Sequence, residues 1–83
     1  MNSPEKRCLT VYGNETEELE EAHEFAGFDL AAFRAHFGNP DNDQLMYNEH
    51  PVNPEDVAFL SEYLPQSVIF DFDRYSYFVS CYV

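Results

Sequence analysis

The stretch FDLAAFRAHFG, residues 28–38, carries the features that a helix needs at both of its ends. Asp29 is a residue type that caps free backbone amides, and Phe28 and Phe33 have the spacing of a hydrophobic staple around that cap. Apolar residues then recur at helical intervals and form one apolar face. Because Gly38 readily adopts the left-handed conformation that ends many helices, the stretch predicts a helix from Asp29 to the residue before Gly38.

A second helix is predicted over Asn53–Leu64. Asn53 is a capping residue, Pro54 suits the first helical position, and Pro65 follows the last turn. The two acids after Pro54 suit the positive end of the helix dipole. Residues 39–52, which join the two helices, are predicted to form a polar loop, and a loop of this length in a compact domain is often functional.

Strands are predicted near both ends of the chain, because β-branched and aromatic residues are concentrated there. The first is Cys8–Tyr12, with a turn at the glycine and asparagine that follow, and the last is Tyr75–Val83. Val68–Phe72 has the composition of a short strand or an extended arm. Alternation along the last strand places four residues on one face: Tyr75, Tyr77, Val79 and Cys81.

Residues 15–25 fit two interpretations. Their Glu and Ala content favours a helix by local propensity. Leu19, His23 and Phe25, however, also alternate with acidic residues as on a strand that would complete a hairpin with the first one. Either way, the order of elements predicts helices packed on one face of a small antiparallel sheet. The predicted core is Leu9, Val11, Phe33, Phe37, Val57, Leu60 and Phe78.

The charge of the chain limits its partners. The 83 residues include 16 Asp and Glu but only four Lys and Arg, for a net charge of -12. Eight Phe and six Tyr exclude a disordered acidic tail and predict one folded domain over 1–83. Such a field repels nucleic acid and anionic membranes and speeds encounter with a basic protein. The alternative is that the charge serves solubility alone.

The acidic loop has part of the pattern of a calcium-binding loop. Asn39, Asp41 and Asp43 alternate as calcium ligands do, but the sixth loop position is Gln44 instead of glycine and the twelfth is His50 instead of glutamate. These departures argue against calcium. His23 and the other histidines show no metal-ligand spacing, so no metal site is predicted.

Catalytic motifs are also missing from the sequence. It has no nucleophile elbow and no phosphate-binding loop, and its three glycines are too few for the latter. We therefore expect no enzyme activity and no cofactor. Cys8 and Cys81 do not make a disulfide framework, and the polar start of the sequence does not resemble a signal peptide. The expectation is a cytoplasmic protein with two free thiols.

Two segments resemble small acidic immunity proteins of bacterial polymorphic toxin systems, of the contact-dependent inhibition and Rhs types. They are QLMYNEHPVN, residues 44–53, and FDFDRYSYFVSC, residues 70–81, and the helix that starts at Asp29 also fits the pattern. The resemblance implies that Thr16–Phe25 is the second strand of a hairpin. We adopt that assignment because the hairpin gives Leu9 and Val11 a partner. The expected fold is α+β, with an N-terminal hairpin and a C-terminal strand packed against two helices.

The resemblance further implies a protein that binds and neutralises the C-terminal domain of a cognate toxin, many of which are basic nucleases. We expect a 1:1 complex, with no direct contact to nucleic acid or membrane. The predicted contact residues lie where the chain lacks Lys and Arg: Asp41, Asp43, Tyr47, Glu49, Glu55, Asp56 and Glu62. An alternative surface, with fewer aromatic residues, is formed by Glu17, Glu18, Glu20, Glu21 and Glu24.

Two other functions remain open at this point. One is an acidic mimic of DNA that inhibits some other nucleic-acid-binding protein. The other is a small enzyme or metal-binding protein, which would need measurable turnover or stoichiometric metal.

Overall fold

The computed structural model describes residues 6–38 and 41–82. Its strands are β1 (Lys6–Gly13), β2 (Leu19–Glu24), β3 (His50–Pro51) and β4 (Tyr75–Tyr82); its helices are α1 (Leu30–His36) and α2 (Val57–Ser61), the latter preceded by a 3₁₀ turn at Pro54–Asp56. The strands form one antiparallel sheet in the order β2-β1-β4-β3. The predicted α+β fold is therefore confirmed.

The N-terminal hairpin is also confirmed. Leu9 pairs with His23 and Val11 with Glu21 across β1 and β2. The hairpin turn is closed by the Gly13 amide, which donates to the Glu18 carbonyl at 3.0 Å. Pairing with β1 gives β2 backbone hydrogen bonds along one edge, and this non-local gain outweighs the local preference of Glu and Ala for helix.

The first helix follows its sequence features closely. The Asp29 carboxylate accepts the Ala32 amide at 3.2 Å, and Gly38 has φ +90°. The predicted staple is present, since the rings of Phe28 and Phe33 lie 4.5 Å apart. Phe33 is fully buried and is the contact through which α1 joins the core.

The second helix is shorter than the predicted Asn53–Leu64. Its α-helical part ends at Ser61. The Tyr63 amide donates to the Leu60 carbonyl at 2.9 Å, and the Tyr63 carbonyl accepts the Ala26 amide at 2.9 Å. This tertiary hydrogen bond fixes the chain in a tight turn and ends the helix before Pro65 is reached.

One face of the sheet packs against both helices. Leu9, Val11, Phe33 and Leu60 lie in this core as predicted. Phe37 is partly buried against it, but Val57 is only half-buried and lies outside the central cluster. Five further residues belong to the core and were not predicted: Phe25, Met46, Val52, Tyr77 and Val79.

Phe78 was wrongly placed in the core. It pairs with Thr10, whereas the neighbouring Val79 pairs with Leu9. Because side chains alternate across a strand, Val79 faces the helices and Phe78 faces the other side of the sheet. The segment 68–72, predicted as a strand or an extended arm, forms an arm, in which Phe70 lies 4.7 Å from the Tyr77 ring.

In the part of the chain that the structure describes, no helix is both long and apolar enough to cross a membrane.

Candidate functional site

The second face of the sheet is the one that lies away from the two helices. The buried residues of α1 and α2 are Phe33 and Leu60, and both belong to the core on the opposite side. No helix within 6–38 and 41–82 therefore covers the second face. By alternation and pairing, its central side chains are Cys8, Thr10, Tyr12, Ser76, Phe78 and Ser80.

A hydrogen-bonded group of hydroxyls and one carboxylate lies on this face. The Oγ atoms of Thr10 and Ser80 lie 2.8 Å apart and both residues are buried. Ser80 Oγ donates to Glu49 Oε2 at 3.2 Å, and the Tyr12 hydroxyl donates to the same oxygen at 3.0 Å. Glu49, an exposed residue of the loop before β3, is thereby held against the central strands.

Beside Glu49 lies a cleft of about 330 Å³. The rings of Tyr12 and Phe78 form its aromatic part, with centroids 5.6 Å apart and planes at 82°. Glu17, at the hairpin turn, contributes a second carboxylate and has φ +57°. The described residues that line the cleft are Tyr12, Gly13, Asn14, Glu17, Glu49, Ser76 and Phe78. We call this the aromatic cleft.

The loop that carries Glu49 is organised by Asp43. Its carboxylate accepts the Tyr47 amide at 2.8 Å and the Asn48 amide at 3.0 Å, and it lies 2.9 Å from His50 Nε2. Burial alone would raise the pKa of Asp43, but the two amides and the His50 ring outweigh it and hold that pKa below its ordinary value. Asp43 is thus bound into its own loop, although the sequence suggested it as a partner contact.

The same loop is fastened to β1 by Arg7. The Arg7 guanidinium donates to the carbonyls of Leu45 and Met46, the latter at 3.0 Å. It also lies between two aromatic rings, 5.0 Å from the centroid of Phe28 and 5.2 Å from that of Tyr47. Tyr47, another predicted contact residue, therefore packs on an internal cation.

Replacing Arg7 with alanine should lower the free energy of unfolding by about 1–3 kcal/mol, since hydrogen bonds and cation–π contacts are lost together. Amide hydrogen exchange at Tyr47 and Asn48 should accelerate more than exchange in α1. The matched control is Lys6→Ala, which removes an exposed cation from the same strand. Equal exchange rates in both variants would contradict the role assigned to Arg7.

Asp56 also has an internal role. Its Oδ1 lies 2.7 Å from His36 Nε2, and its Oδ2 accepts the Asn53 amide at 2.8 Å. The His36 ring stacks on Phe59, with centroids 4.2 Å apart and planes at 4°. Asp56 therefore links α1 to the start of α2 and is buried.

The predicted contact residues differ in their exposure and in their contacts within the fold. Asp43, Tyr47 and Asp56 are engaged within the fold, as described above. Glu49 lines the aromatic cleft. The remaining three are exposed on the loop and around α2: Asp41, Glu55 and Glu62.

Sequence reasoning missed Tyr12 and Phe78 as cleft residues. The signal was the alternation of β4: once Tyr77 and Val79 are placed in the core, Phe78 must face the open side. Tyr12 follows because β1 and β4 pair in register, with Tyr12 opposite Ser76.

The alternative acidic surface is fully exposed. Every glutamate between positions 15 and 24 is accessible to solvent: Glu15, Glu17, Glu18, Glu20, Glu21 and Glu24. They occupy the hairpin turn and β2, which is an edge strand of the sheet. We call this set the hairpin acids. Glu17 belongs both to it and to the aromatic cleft, so the two surfaces are continuous.

The described residues contain no group of three or more His, Cys, Asp or Glu side chains placed to hold a metal ion. Each histidine instead lies against one carboxylate: His23 on Glu21, His36 on Asp56 and His50 on Asp43.

The cysteines are free thiols. Arg7 pairs with Cys81 while Cys8 pairs with Ser80, so the two thiols lie on opposite faces of the sheet. Burial, followed by the nearby Glu24 carboxylate, raises the pKa of the Cys8 thiol. This disfavours the thiolate and makes Cys8 a poor nucleophile.

Comparison with curated proteins and with solved structures gave no match to the chain. Comparison with protein families matched residues 6–80 to the family described as "Domain of unknown function (DUF7683)". Since the match spans nearly the whole sequence, the chain belongs to the DUF7683 family.

Proposed function

We propose that this chain is a non-enzymatic cytoplasmic protein that binds and neutralises a basic protein partner, the toxin domain of a bacterial polymorphic toxin system. The observation that carries the proposal is the continuity of the hairpin acids with the aromatic cleft, on the sheet face that the described helices leave uncovered. Charge and aromatic side chains on one surface are what a basic protein needs for fast encounter and for anchoring.

Electrostatics favours a basic partner over other macromolecules. The net charge is -12, and the glutamates of the hairpin are all exposed. Within that turn and β2, from Asn14 to Glu24, the sequence contains no Lys or Arg that would neutralise them. Such a field raises the association rate with a cationic protein and opposes binding to phosphate backbones.

We propose that the contact surface lies outside the middle of the loop. Asp43 and Asp56 hold the fold together, so their carboxylates are not available without a structural cost. Among the described residues, the only side-chain hydrogen bond made by a carboxylate of the hairpin acids is that of Glu21, which lies against His23. In the sequence, the hairpin acids had few aromatic residues beside them. Tyr12 and Phe78 of the adjoining cleft supply these aromatic residues.

The proposal that the partner is a toxin rests on the resemblance of residues 44–53 and 70–81 to immunity proteins. The encoding gene should therefore have an upstream neighbour that encodes a large secreted toxin. The direct test is co-purification of the chain with the C-terminal domain of that neighbour. A 1:1 complex burying about 1,200–2,000 Å² in total is expected, as for a standard specific interface.

Charge reversal tests which surface binds. The variant Glu18→Lys with Glu20→Lys should slow association with the toxin domain by about tenfold at low salt, because it weakens electrostatic steering. The matched control is Glu55→Lys with Glu62→Lys, which makes the same charge change away from the hairpin. Association is measured by stopped-flow fluorescence, and neutralisation by protection of cells that express the toxin.

Three outcomes would contradict the proposal. One is the absence of any complex with the neighbouring gene product. Another is tight binding to several unrelated DNA-binding proteins, which would favour a DNA mimic. The third is neutralisation that is unchanged in both charge-reversal variants and at high salt. That result would show that the charge serves solubility alone.

A further inference from the structure

We propose that the aromatic cleft receives an arginine side chain of the partner, and that Glu49 is the residue that binds its guanidinium group. The inference rests on the proposed function, in which the partner is basic, and it identifies the point at which that partner is anchored. Tyr12 and Phe78 form the walls of the cleft. Glu17 and Glu49 are its acidic residues.

The walls suit a flat cation. The rings of Tyr12 and Phe78 meet edge to face, at 82°, so the cleft offers aromatic surface in two orientations. A guanidinium group is planar and weakly hydrated, and it packs on aromatic rings through cation–π attraction while its N–H groups donate in the plane. An uncharged planar group would gain only part of this attraction.

The Glu49 carboxylate is held in place before any ligand arrives. Its Oε2 accepts from the Tyr12 hydroxyl at 3.0 Å and from Ser80 Oγ at 3.2 Å. Ser80 is buried and lies 2.8 Å from the hydroxyl of buried Thr10, so the support continues into the sheet. Both bonds use Oε2, and no other described residue donates to Oε1. A carboxylate fixed in this way loses little conformational entropy on binding.

The side chains of Ser76 and Asn14, which also line the cleft, already form hydrogen bonds within the protein. Ser76 Oγ donates to the Asn14 side-chain oxygen at 2.5 Å, and the Asn14 amide donates to the carbonyls of Phe72 and Asp73, each at 3.3 Å. These groups have a structural role. Recognition is therefore left to the aromatic walls and to the carboxylates of Glu17 and Glu49.

The carboxylates of the cleft favour a cationic ligand. Its described lining residues include two carboxylates and no Lys, Arg or His. Arg7 is committed to the loop carbonyls and to the rings of Phe28 and Tyr47. Arginine suits the cleft better than lysine, because the ammonium of lysine is a strongly hydrated point charge and cannot lie flat against a ring.

The test uses N-acetyl-L-argininamide as a probe on the full-length chain, followed by NMR chemical shifts. Shifts should concentrate at Tyr12, Phe78 and the residues around Glu49. The neutral isostere N-acetyl-L-citrullinamide should cause none at matched concentration. N-acetyl-L-lysinamide should bind more weakly than the arginine derivative; equal binding would overturn the assignment to arginine.

Glu49→Gln keeps an oxygen to accept from Tyr12 and Ser80 but removes the charge. We expect it to weaken probe binding by about five- to tenfold, the loss of one charge-assisted interaction. The matched control Glu55→Gln removes an exposed acid outside the cleft and should leave binding unchanged. Unchanged binding in Glu49→Gln, or shifts spread evenly over the hairpin acids, would overturn the inference.

The two proposals fail separately, because the probe is independent of any toxin. If the probe does not bind to the cleft but the chain still neutralises its toxin, only the anchoring role of Glu49 is overturned. A cleft that binds the probe in a chain that captures no neighbouring gene product would overturn the toxin partner alone.

Discussion

Phe33→Ala is expected to lower the free energy of unfolding by about 3–5 kcal/mol, the usual cost of truncating a fully buried phenylalanine. Phe33 has 0% of its surface exposed. Its ring lies within about 5 Å of four others, an arrangement that adds aromatic attraction to simple burial. The distances between centroids are 5.1 Å to Phe25, 4.5 Å to Phe28, 5.0 Å to Phe59 and 4.9 Å to Tyr63.

This loss is a large share of the stability that a domain of this length has, which is about 5–15 kcal/mol for proteins in general. Urea denaturation followed by circular dichroism measures it. The matched control is Ile69→Ala, because Ile69 is an apolar residue with 83% of its surface exposed, and its truncation should change the unfolding free energy by about 0.5 kcal/mol or less. A Phe33→Ala variant as stable as the control would show that the helices do not share one core with the sheet.

Local features allowed the first helix to be predicted from the sequence. The cap at Asp29, the staple at Phe33 and the stop at Gly38 all act within a few residues of one another. The hairpin needed more than local information, since Glu and Ala in β2 favour helix. The strand assignment is correct because the alternation of residues in β2 agrees with the pairing that β1 requires.

What could not be predicted depends on contacts between distant residues. Strand β3 has two residues, His50 and Pro51, and neither has a local strand signal. It forms because β4 presents Val79 and Phe78 as pairing partners. Met46 is fully buried although it lies in a polar segment, because the loop folds back over the core and is held by Arg7.

The candidate site was only partly predictable for the same reason. An acidic side chain looks the same in a sequence whether it is exposed or bonded to its own loop. Asp43 and Asp56 were therefore grouped with Glu49, although their oxygens accept backbone amides. Glu49 and Glu17 are 32 positions apart, and they line one cleft because β4 pairs with β1 on one side and with β3 on the other.

Asp43→Ala is expected to lower the free energy of unfolding by about 2–4 kcal/mol, since three hydrogen bonds to a charged acceptor are lost together and such bonds are not additive. Only 8% of the Asp43 side chain is exposed. The amides of Tyr47 and Asn48 would be left without their acceptor. The matched control is Asp41→Ala, which removes the same charge from an exposed position in the same loop.

The effect should depend on pH with a definite sign. In the unfolded chain the pKa of Asp43 is close to its ordinary value of 3.8, and in the folded chain it is lower. A depressed pKa adds stability that is fully present above the unfolded value and is lost as pH falls through the folded one. The stability difference between the wild-type protein and Asp43→Ala should therefore be constant near neutrality and shrink below about pH 4. Asp41→Ala should show a small difference throughout. A difference for Asp43→Ala that stays the same down to pH 2.5, or that grows as pH falls, would show that Asp43 does not hold the loop as a carboxylate.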